Sequence, residues 1–136
     1  KLYDGGSGLV SNIDDYSTFA EMLLNGGILD GVRVLSEASV NLMSRNHLSN
    51  EILSDGASFG IDGVGFGLTM AVLMDAGISG TYSTDGEFSW GGAASTIFWV
   101  DKKNNITATL MTQYMPSDKY PLREELKTLL YSGLSN

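Results

Sequence analysis

The sequence contains no cysteine, which excludes disulfides, thiolate metal ligands and a cysteine nucleophile together. It has a single histidine, His47, so a zinc site built on histidine and cysteine ligands is not expected. The aspartates of its glycine-containing loops do not have the spacing of a calcium-binding loop. We therefore predict no metal and no cofactor, while the redox compartment stays open because a cysteine-free chain suits either side of a membrane.

Positive charge is also scarce. Eight lysines and arginines face sixteen aspartates and glutamates, which gives a formal net charge of −8. Such a field repels nucleic acid, so no nucleic-acid partner is expected. No run approaches the roughly 20 apolar residues of a membrane span, so no span is predicted. With 136 residues and 43% hydrophobic content, the chain suits a single globular unit, residues 1–136.

The first residues contain neither a methionine nor an apolar stretch of the kind found in a signal peptide. A start at Lys1 indicates a boundary made by excision or proteolysis. We therefore expect the chain to be part of a larger protein, with any targeting segment upstream of it.

The first third of the sequence predicts two helices. Ser11–Asp14 has the pattern of a capping box, in which the Ser11 hydroxyl and the Asp14 carboxylate accept from free backbone N–H groups. The apolar residues that follow recur at helical spacing and predict a helix over 12–25: Ile13, Tyr16, Phe19, Ala20 and Leu23. Two short extended pieces around Asp30-Gly31 precede a second helix, 37–45, which Ser36 caps.

In that second helix we expect Ala38, Leu42 and Met43 to face inward, and residues 46–65 are predicted to form a long loop. The apolar period then changes to that of strands. Alternation over 66–72 predicts one strand, and further strands are predicted over 87–92, 95–100 and 106–113, with a turn at 101–105. Pro121 suits the first turn of a last helix, 121–132.

Two helices, an antiparallel meander and a final helix predict an α/β fold of the α+β type. The expected architecture is an antiparallel sheet of three or more strands flanked by helices.

The segment Trp90-Gly91-Gly92-Ala93 is the strongest candidate for chemistry. Two consecutive glycines weaken a strand and mark either a bulge or a place where another group approaches the backbone closely. A backbone N–H beside a glycine is also what an oxyanion site uses. From the residues alone, both interpretations stay open.

A Ser-His-Asp triad through His47 is formally possible, but no Gly-x-Ser-x-Gly elbow surrounds any serine. The sequence Ser44–His47 is typical of a helix end, so a capping or surface histidine is favoured. We expect Phe98, Trp99 and the tyrosines to belong to the core rather than to the wall of a cleft.

Several short motifs in fixed order resemble class C β-lactamase-like enzymes, a family that includes esterases and D-alanyl-D-alanine peptidases. They are Gly5–Ser11 ahead of the first helix, Asp15–Gly27, Gly65–Leu68, Trp90–Ala93 and Phe98–Asp101, followed by the C-terminal helix. The resemblance covers nearly the whole chain and implies the C-terminal portion of a β-lactamase/transpeptidase-like fold.

Such enzymes acylate a serine in an S-x-x-K motif, assisted by a second motif, and a third motif, K-T-G or a variant, lines the cleft. The resemblance places Trp90, Gly91 and Gly92 in the third motif as substrate-binding residues. It implies that Ala93 lends its backbone N–H to the oxyanion hole. Trp90 stands where the family has lysine, which favours the esterase-like branch.

The first two motifs are missing from this chain, because no serine is followed three positions later by lysine and no Tyr-x-Asn occurs. The resemblance thus implies a fragment of a serine hydrolase for esters or amides that lacks the nucleophile and is inactive alone. Two alternatives stay open: a non-catalytic peptide- or peptidoglycan-binding module, and a true β-lactamase or D-Ala-D-Ala carboxypeptidase.

The implied partners are a small ester, amide or peptide substrate and the missing N-terminal part of the same enzyme. The resemblance also implies an exported or periplasmic parent. Removal of the missing part is expected to leave apolar side chains exposed, which favours self-association. The residues expected to be exposed are Phe66, Phe88, Trp90 and Trp99.

Overall fold

A computed structural model describes residues 8–54 and 61–134 of the chain. The helices are α1 (Ile13–Leu24), α2 (Glu37–Met43), α3 (Asn50–Ser54), α4 (Ala76–Ser79) and α5 (Leu122–Ser132). The strands are β1 (Ile28–Leu29), β2 (Val32–Arg33), β3 (Val64–Phe66), β4 (Ala71–Leu73), β5 (Phe88–Gly91), β6 (Ile97–Asp101) and β7 (Ile106–Leu110). The predicted motif at Gly5–Ser7 lies outside the described residues.

Strands β3 to β7 form one five-stranded antiparallel sheet in which neighbours in sequence are neighbours in space. The register places Phe88 opposite Val100 and Gly91 opposite Ile97. Strands β1 and β2 form a separate hairpin around Asp30-Gly31, as predicted. The sheet and the helices confirm the predicted α+β fold class.

The hydrophobic core lies between one face of the sheet and helix α1, with α2 beside it. Because successive side chains of a strand point to opposite faces, Phe88, Phe98 and Val100 share one face. Leu23 of α1 and Val40 of α2 are fully buried in the same cluster.

Helix α5 packs on the opposite face of the sheet. There Trp99 of β6 is fully buried, and the Lys127 ammonium lies 5.6 Å from the centre of its ring. The same ammonium forms a 2.6 Å salt bridge with the buried Glu87 carboxylate. The contact between α5 and the sheet therefore combines an aromatic ring with a paired charge.

The fully buried carboxylate of Asp101 connects three separate segments of this face. It accepts hydrogen bonds from the backbone N–H groups of Lys103 and Asn104 at 3.0 Å, which fixes the turn between β6 and β7. It also accepts from the Thr84 hydroxyl and the Tyr131 hydroxyl, each at 2.7 Å. A buried charge is tolerated here because donors surround it.

Burial alone would raise the pKa of Asp101, but the hydrogen bonds from Tyr131, Thr84 and Asn104 outweigh burial and hold the pKa below its usual range. Burial and the neighbouring carboxylates of Asp101 and Glu87 raise the pKa of Tyr131. Tyr131 therefore stays protonated and donates to the ionised Asp101.

The caps and the inward faces of the helices differ in detail from the predictions. Helix α1 is capped by Asn12 rather than Ser11: Asn12 Oδ1 accepts from the Asp15 N–H at 2.9 Å. Helix α2 buries Val40, whereas Ala38 and Leu42 are exposed. Met43, three residues after Val40 on the same side of the helix, is partly buried against the core as predicted, so the inward face runs through Val40 and Met43.

The predicted single strand over 66–72 is wrong, because the chain reverses at 67–70 and forms the hairpin of β3 and β4. Gly67 makes this reversal possible: a Cβ there would lie 2.0 Å from the Met43 carbonyl oxygen, so the turn packs directly against the end of α2. Leu68 in the turn is 50% exposed and donates its N–H to the same carbonyl at 3.1 Å.

The predicted long loop over 46–65 is also wrong in part, since it contains α3 and the start of β3. Residues 46–47 cover the outer side of β3. The Asn46 side chain accepts from the Phe66 N–H at 3.0 Å, and the His47 N–H donates to the Phe66 carbonyl at 2.8 Å.

The expected exposure of aromatic side chains is wrong for Phe88 and Trp99, which are fully buried, and Phe66 is half-buried. Trp90 is 40% exposed. Helix α1 packs against one face of the sheet and α5 against the other, and this burial includes Phe88 and Trp99. Within 8–54 and 61–134, no helix is both long and apolar enough to cross a membrane.

We predict that Asp101→Asn lowers the free energy of unfolding at pH 7 by roughly 2–4 kcal/mol, because an amide cannot accept all of these hydrogen bonds. Since folding lowers the pKa of Asp101, its stabilisation is fully present above about pH 4 and is lost as the pH falls further. Denaturant unfolding from pH 7 to pH 2 should therefore show a weaker acid dependence in the variant. Asp118→Asn, at an exposed carboxylate, is the matched control; equal effects of the two substitutions would contradict the prediction.

Candidate active site at the end of strand β5

The four residues singled out in the sequence lie at the end of a central strand. Trp90 and Gly91 are the last two residues of β5 and pair with Phe98 and Ile97 of β6. The ladder between β4 and β5 ends earlier, at Ser89. The end of β5 therefore extends past β4, and Gly92 and Ala93 follow in the turn that leads to β6.

Hydrogen bonds from several directions hold this turn, residues 92–96. The Gly92 N–H donates to the Thr96 carbonyl at 3.0 Å, which closes the turn. Ser95 is buried, has a φ of 62° and donates its hydroxyl to the Tyr114 carbonyl at 2.7 Å. The Thr112 hydroxyl donates to the Ala94 carbonyl. The backbone on either side of Ala93 is thus held, while Ala93 itself is exposed.

Arg123, near the start of α5, also contacts residues 92–96. Its Nη2 donates to the Gly92 carbonyl at 2.8 Å and to the Thr96 carbonyl at 2.9 Å. A Cβ on Gly91 would lie 2.8 Å from this nitrogen and 2.8 Å from the Thr96 oxygen. The space beside Gly91 is therefore occupied by the guanidinium, and a larger residue at 91 would displace it.

Trp90 presents a partly exposed ring at the end of the strand. It packs edge-to-face against Phe66, with ring centres 5.4 Å apart and an angle of 78° between the rings. Such a pair contributes roughly 0.5–1.5 kcal/mol beyond the buried area. An apolar surface thus stands where the family resemblance expects a lysine ammonium.

A cavity of about 630 Å³ opens beside the end of β5, between the sheet and α5. All four residues of the segment Trp90–Ala93 line it. Its walls are apolar at Ile61, Val64 and Leu73, and they carry charges of both signs, from Arg123 and Lys127 and from Glu87 and Glu124. The volume and the mixed lining are within the range of small-molecule sites.

Sequence reasoning found the strand-end segment and missed Arg123. An isolated arginine two residues after Pro121 has no motif around it, so its contact with the turn could be seen only after the helix was packed on the sheet.

His47 is exposed, and its ring Nε2 lies 2.8 Å from the Leu42 carbonyl, so it contacts the end of α2. The described residues include no group of three His, Cys, Asp or Glu side chains that could hold a metal.

Comparison with known proteins gives consistent matches. The sequence model of one family, described as Beta-lactamase, matches residues 1–131. Protein Rv1367c of Mycobacterium tuberculosis strain H37Rv is 39% identical over 119 residues, which cover 83% of this chain and 29% of that protein. An uncharacterised protein, MT1414, of the CDC 1551 strain matches with the same identity and coverage.

Two solved structures resemble the fold. EstCE1, described as a hydrolase with promiscuous acyltransferase activity, has a TM-score of 0.76 and 26% identity over 93% of this chain and 31% of its own. The simvastatin synthase LovD from Aspergillus terreus has a TM-score of 0.70 and 21% identity over 96% of this chain and 37% of its own. The chain thus spans roughly a third of the length of these proteins.

We predict that Gly91→Ala lowers the free energy of unfolding by about 1–3 kcal/mol, because the added methyl overlaps the Arg123 guanidinium and the Thr96 carbonyl. Thermal unfolding measures this loss. The control is Gly133→Ala at the end of α5, where a Cβ meets no heavy atom closer than 3.5 Å and the φ of −87° suits alanine. A Gly91→Ala protein as stable as the control would contradict the close contact.

Proposed function

The chain belongs to the β-lactamase family, and from this premise we propose that it supplies part of the active site of a serine hydrolase that acts on esters or amides. That part is the strand that carries the third motif, together with one wall of the oxyanion hole. The family match and the five-stranded sheet confirm the resemblance drawn from the sequence. In the proposed reaction a serine oxygen attacks the substrate carbonyl, the alcohol or amine leaves, and water releases the acid from the acyl-enzyme. The serine comes from a part of the protein upstream of this chain.

The observation that carries the proposal is the position of Ala93. It lies two residues after Gly91, the last residue of β5, and it is exposed. The carbonyls on either side of it, those of Gly92 and Ala94, both accept hydrogen bonds. Among the hydrogen bonds of residues 8–54 and 61–134, none uses the Ala93 N–H. A rigid donor that faces an open site is what stabilises the negative charge on a tetrahedral intermediate.

Trp90 supports an ester rather than a β-lactam as the substrate. A lysine at this position would attract a substrate carboxylate, whereas the indole presents an apolar edge. EstCE1 is described as a hydrolase with promiscuous acyltransferase activity, and its likeness to this chain supports acyl transfer as the reaction. Trp90, Gly91 and Gly92 then contact the acyl part of the substrate.

The length of the relatives supports the proposal that this chain is one portion of the enzyme. It covers 29% of Protein Rv1367c and 31% of EstCE1. The Ser-x-x-Lys and Tyr-x-Asn motifs, which this chain lacks, then belong to the remaining portion. A non-catalytic peptide-binding protein and a true β-lactamase are the outcomes that the following experiments separate from an esterase.

We predict that the pure 136-residue chain hydrolyses neither p-nitrophenyl butyrate nor nitrocefin, because it lacks the Ser-x-x-Lys motif that supplies the nucleophile. The longer protein, with the upstream portion joined to it, should hydrolyse the ester and leave nitrocefin intact. Absorbance assays on both proteins measure this. Turnover by the short chain that one serine substitution abolishes would overturn the fragment proposal. Nitrocefin hydrolysis by the longer protein would favour a β-lactamase, and no turnover of either substrate would favour a binding protein.

We predict that Ala93→Pro in the longer protein lowers kcat for the ester about 10²–10³-fold, because proline has no N–H to donate to the oxyanion. The matched control, Ala93→Ser, keeps the N–H and should retain kcat within about threefold. Circular dichroism should show that both variants are folded. A folded Ala93→Pro protein with normal kcat would remove Ala93 from the site.

A further inference from the structure

The peptide unit between Gly92 and Ala93 carries two groups that are used differently. Its carbonyl oxygen, which belongs to Gly92, accepts from Arg123 Nη2 at 2.8 Å. Its N–H, which belongs to Ala93, is the donor assigned above to the oxyanion site. Because the unit is planar and trans, the carbonyl and the N–H point in opposite directions. Holding the carbonyl towards the Arg123 guanidinium therefore directs the N–H away from that group.

The hydrogen bond from Arg123 to the Gly92 carbonyl also changes the electron distribution of this peptide unit. A charged donor on the carbonyl polarises the amide and makes its N–H a stronger donor, since linked hydrogen bonds reinforce one another. The salt bridge found among residues 8–54 and 61–134 joins Lys127 to Glu87, so within the described chain no carboxylate within 4.0 Å offsets the charge of Arg123.

Gly91 provides the space that this contact requires. A Cβ at 91 would lie 2.8 Å from Arg123 Nη2, so the guanidinium can reach both carbonyls only beside a glycine. The Thr96 carbonyl, at 2.9 Å from the same nitrogen, closes the turn through the Gly92 N–H. One nitrogen thus contacts both ends of the turn that carries Ala93.

We propose that Arg123 is a positioning residue for the oxyanion site, which orients and polarises the Gly92–Ala93 peptide through the Gly92 carbonyl. This inference rests on the function proposed for Ala93. It assigns a catalytic consequence to a residue on α5, on the side of the turn opposite the donor. Arginine suits this role better than lysine because its planar guanidinium directs one NH₂ group at two acceptors in a fixed geometry.

The kinetic test uses Arg123→Met and Arg123→Lys in the longer protein with p-nitrophenyl butyrate. We expect Arg123→Met to lower kcat about tenfold with KM changed less than about twofold, because the interaction strengthens only as the oxyanion forms. Arg123→Lys should recover part of the loss. Arg33→Met is the matched control, since Arg33 also donates to two backbone carbonyls, those of Gly26 and Leu35, in the β1–β2 hairpin.

A double-mutant cycle separates this inference from the function on which it rests. If Arg123 acts through the Ala93 N–H, Arg123→Met should cause no further loss of kcat in an Ala93→Pro protein. Losses that multiply would overturn the inference and leave the role of Ala93 intact. An Ala93→Pro protein with normal kcat would overturn both.

A spectroscopic measurement on the 136-residue chain covers the case in which the double variant does not fold. The ¹⁵N shift of an amide responds to the hydrogen bond on the carbonyl of its own peptide unit. The Ala93 resonance should therefore move upfield in Arg123→Met and stay in place in Arg33→Met. An Ala93 resonance that does not move in Arg123→Met would overturn the inference.

Discussion

The carboxylate of Asp101 is the contact on which the arrangement of the sheet and α5 depends. It joins the turn after β6, the loop before β5 and the last part of α5 through five hydrogen bonds. Because an ionised carboxylate at this depth costs several kcal/mol without donors, all three segments must be in place together. Asp101 is the last residue of β6, whereas the turn that Arg123 contacts precedes β6. The position of α5, and with it the position of Arg123, thus depends on a carboxylate at the other end of this strand.

Helix α5 consequently makes polar contacts of two kinds along its length. Near its C-terminus Tyr131 donates to Asp101, and in its middle Lys127 pairs with Glu87. Near its N-terminus Arg123 contacts the turn that carries Ala93. The first two contacts fix the helix on the sheet, and the third transmits this fixed position to the backbone of the candidate site.

Much of the fold could be predicted from the sequence because local chemistry decides it. Helix α1, the hairpin of β6 and β7, and α5 follow from apolar spacing, turn residues and Pro121. The hairpin of β3 and β4 could not be predicted, because the reversal at Gly67 depends on contact with the Met43 carbonyl, 24 residues earlier. The segment Trp90–Ala93 could be found from its glycines, whereas Arg123 required the packed structure.

The cover on strand β3 has a consequence for the order in which the chain is synthesised. Asn46 and His47 satisfy the backbone groups of Phe66, and they precede it by about 20 residues. On the ribosome the covering segment therefore emerges before the strand that it protects. An uncovered strand can recruit another nascent chain, so this sequence order shortens the interval in which the edge could nucleate aggregation.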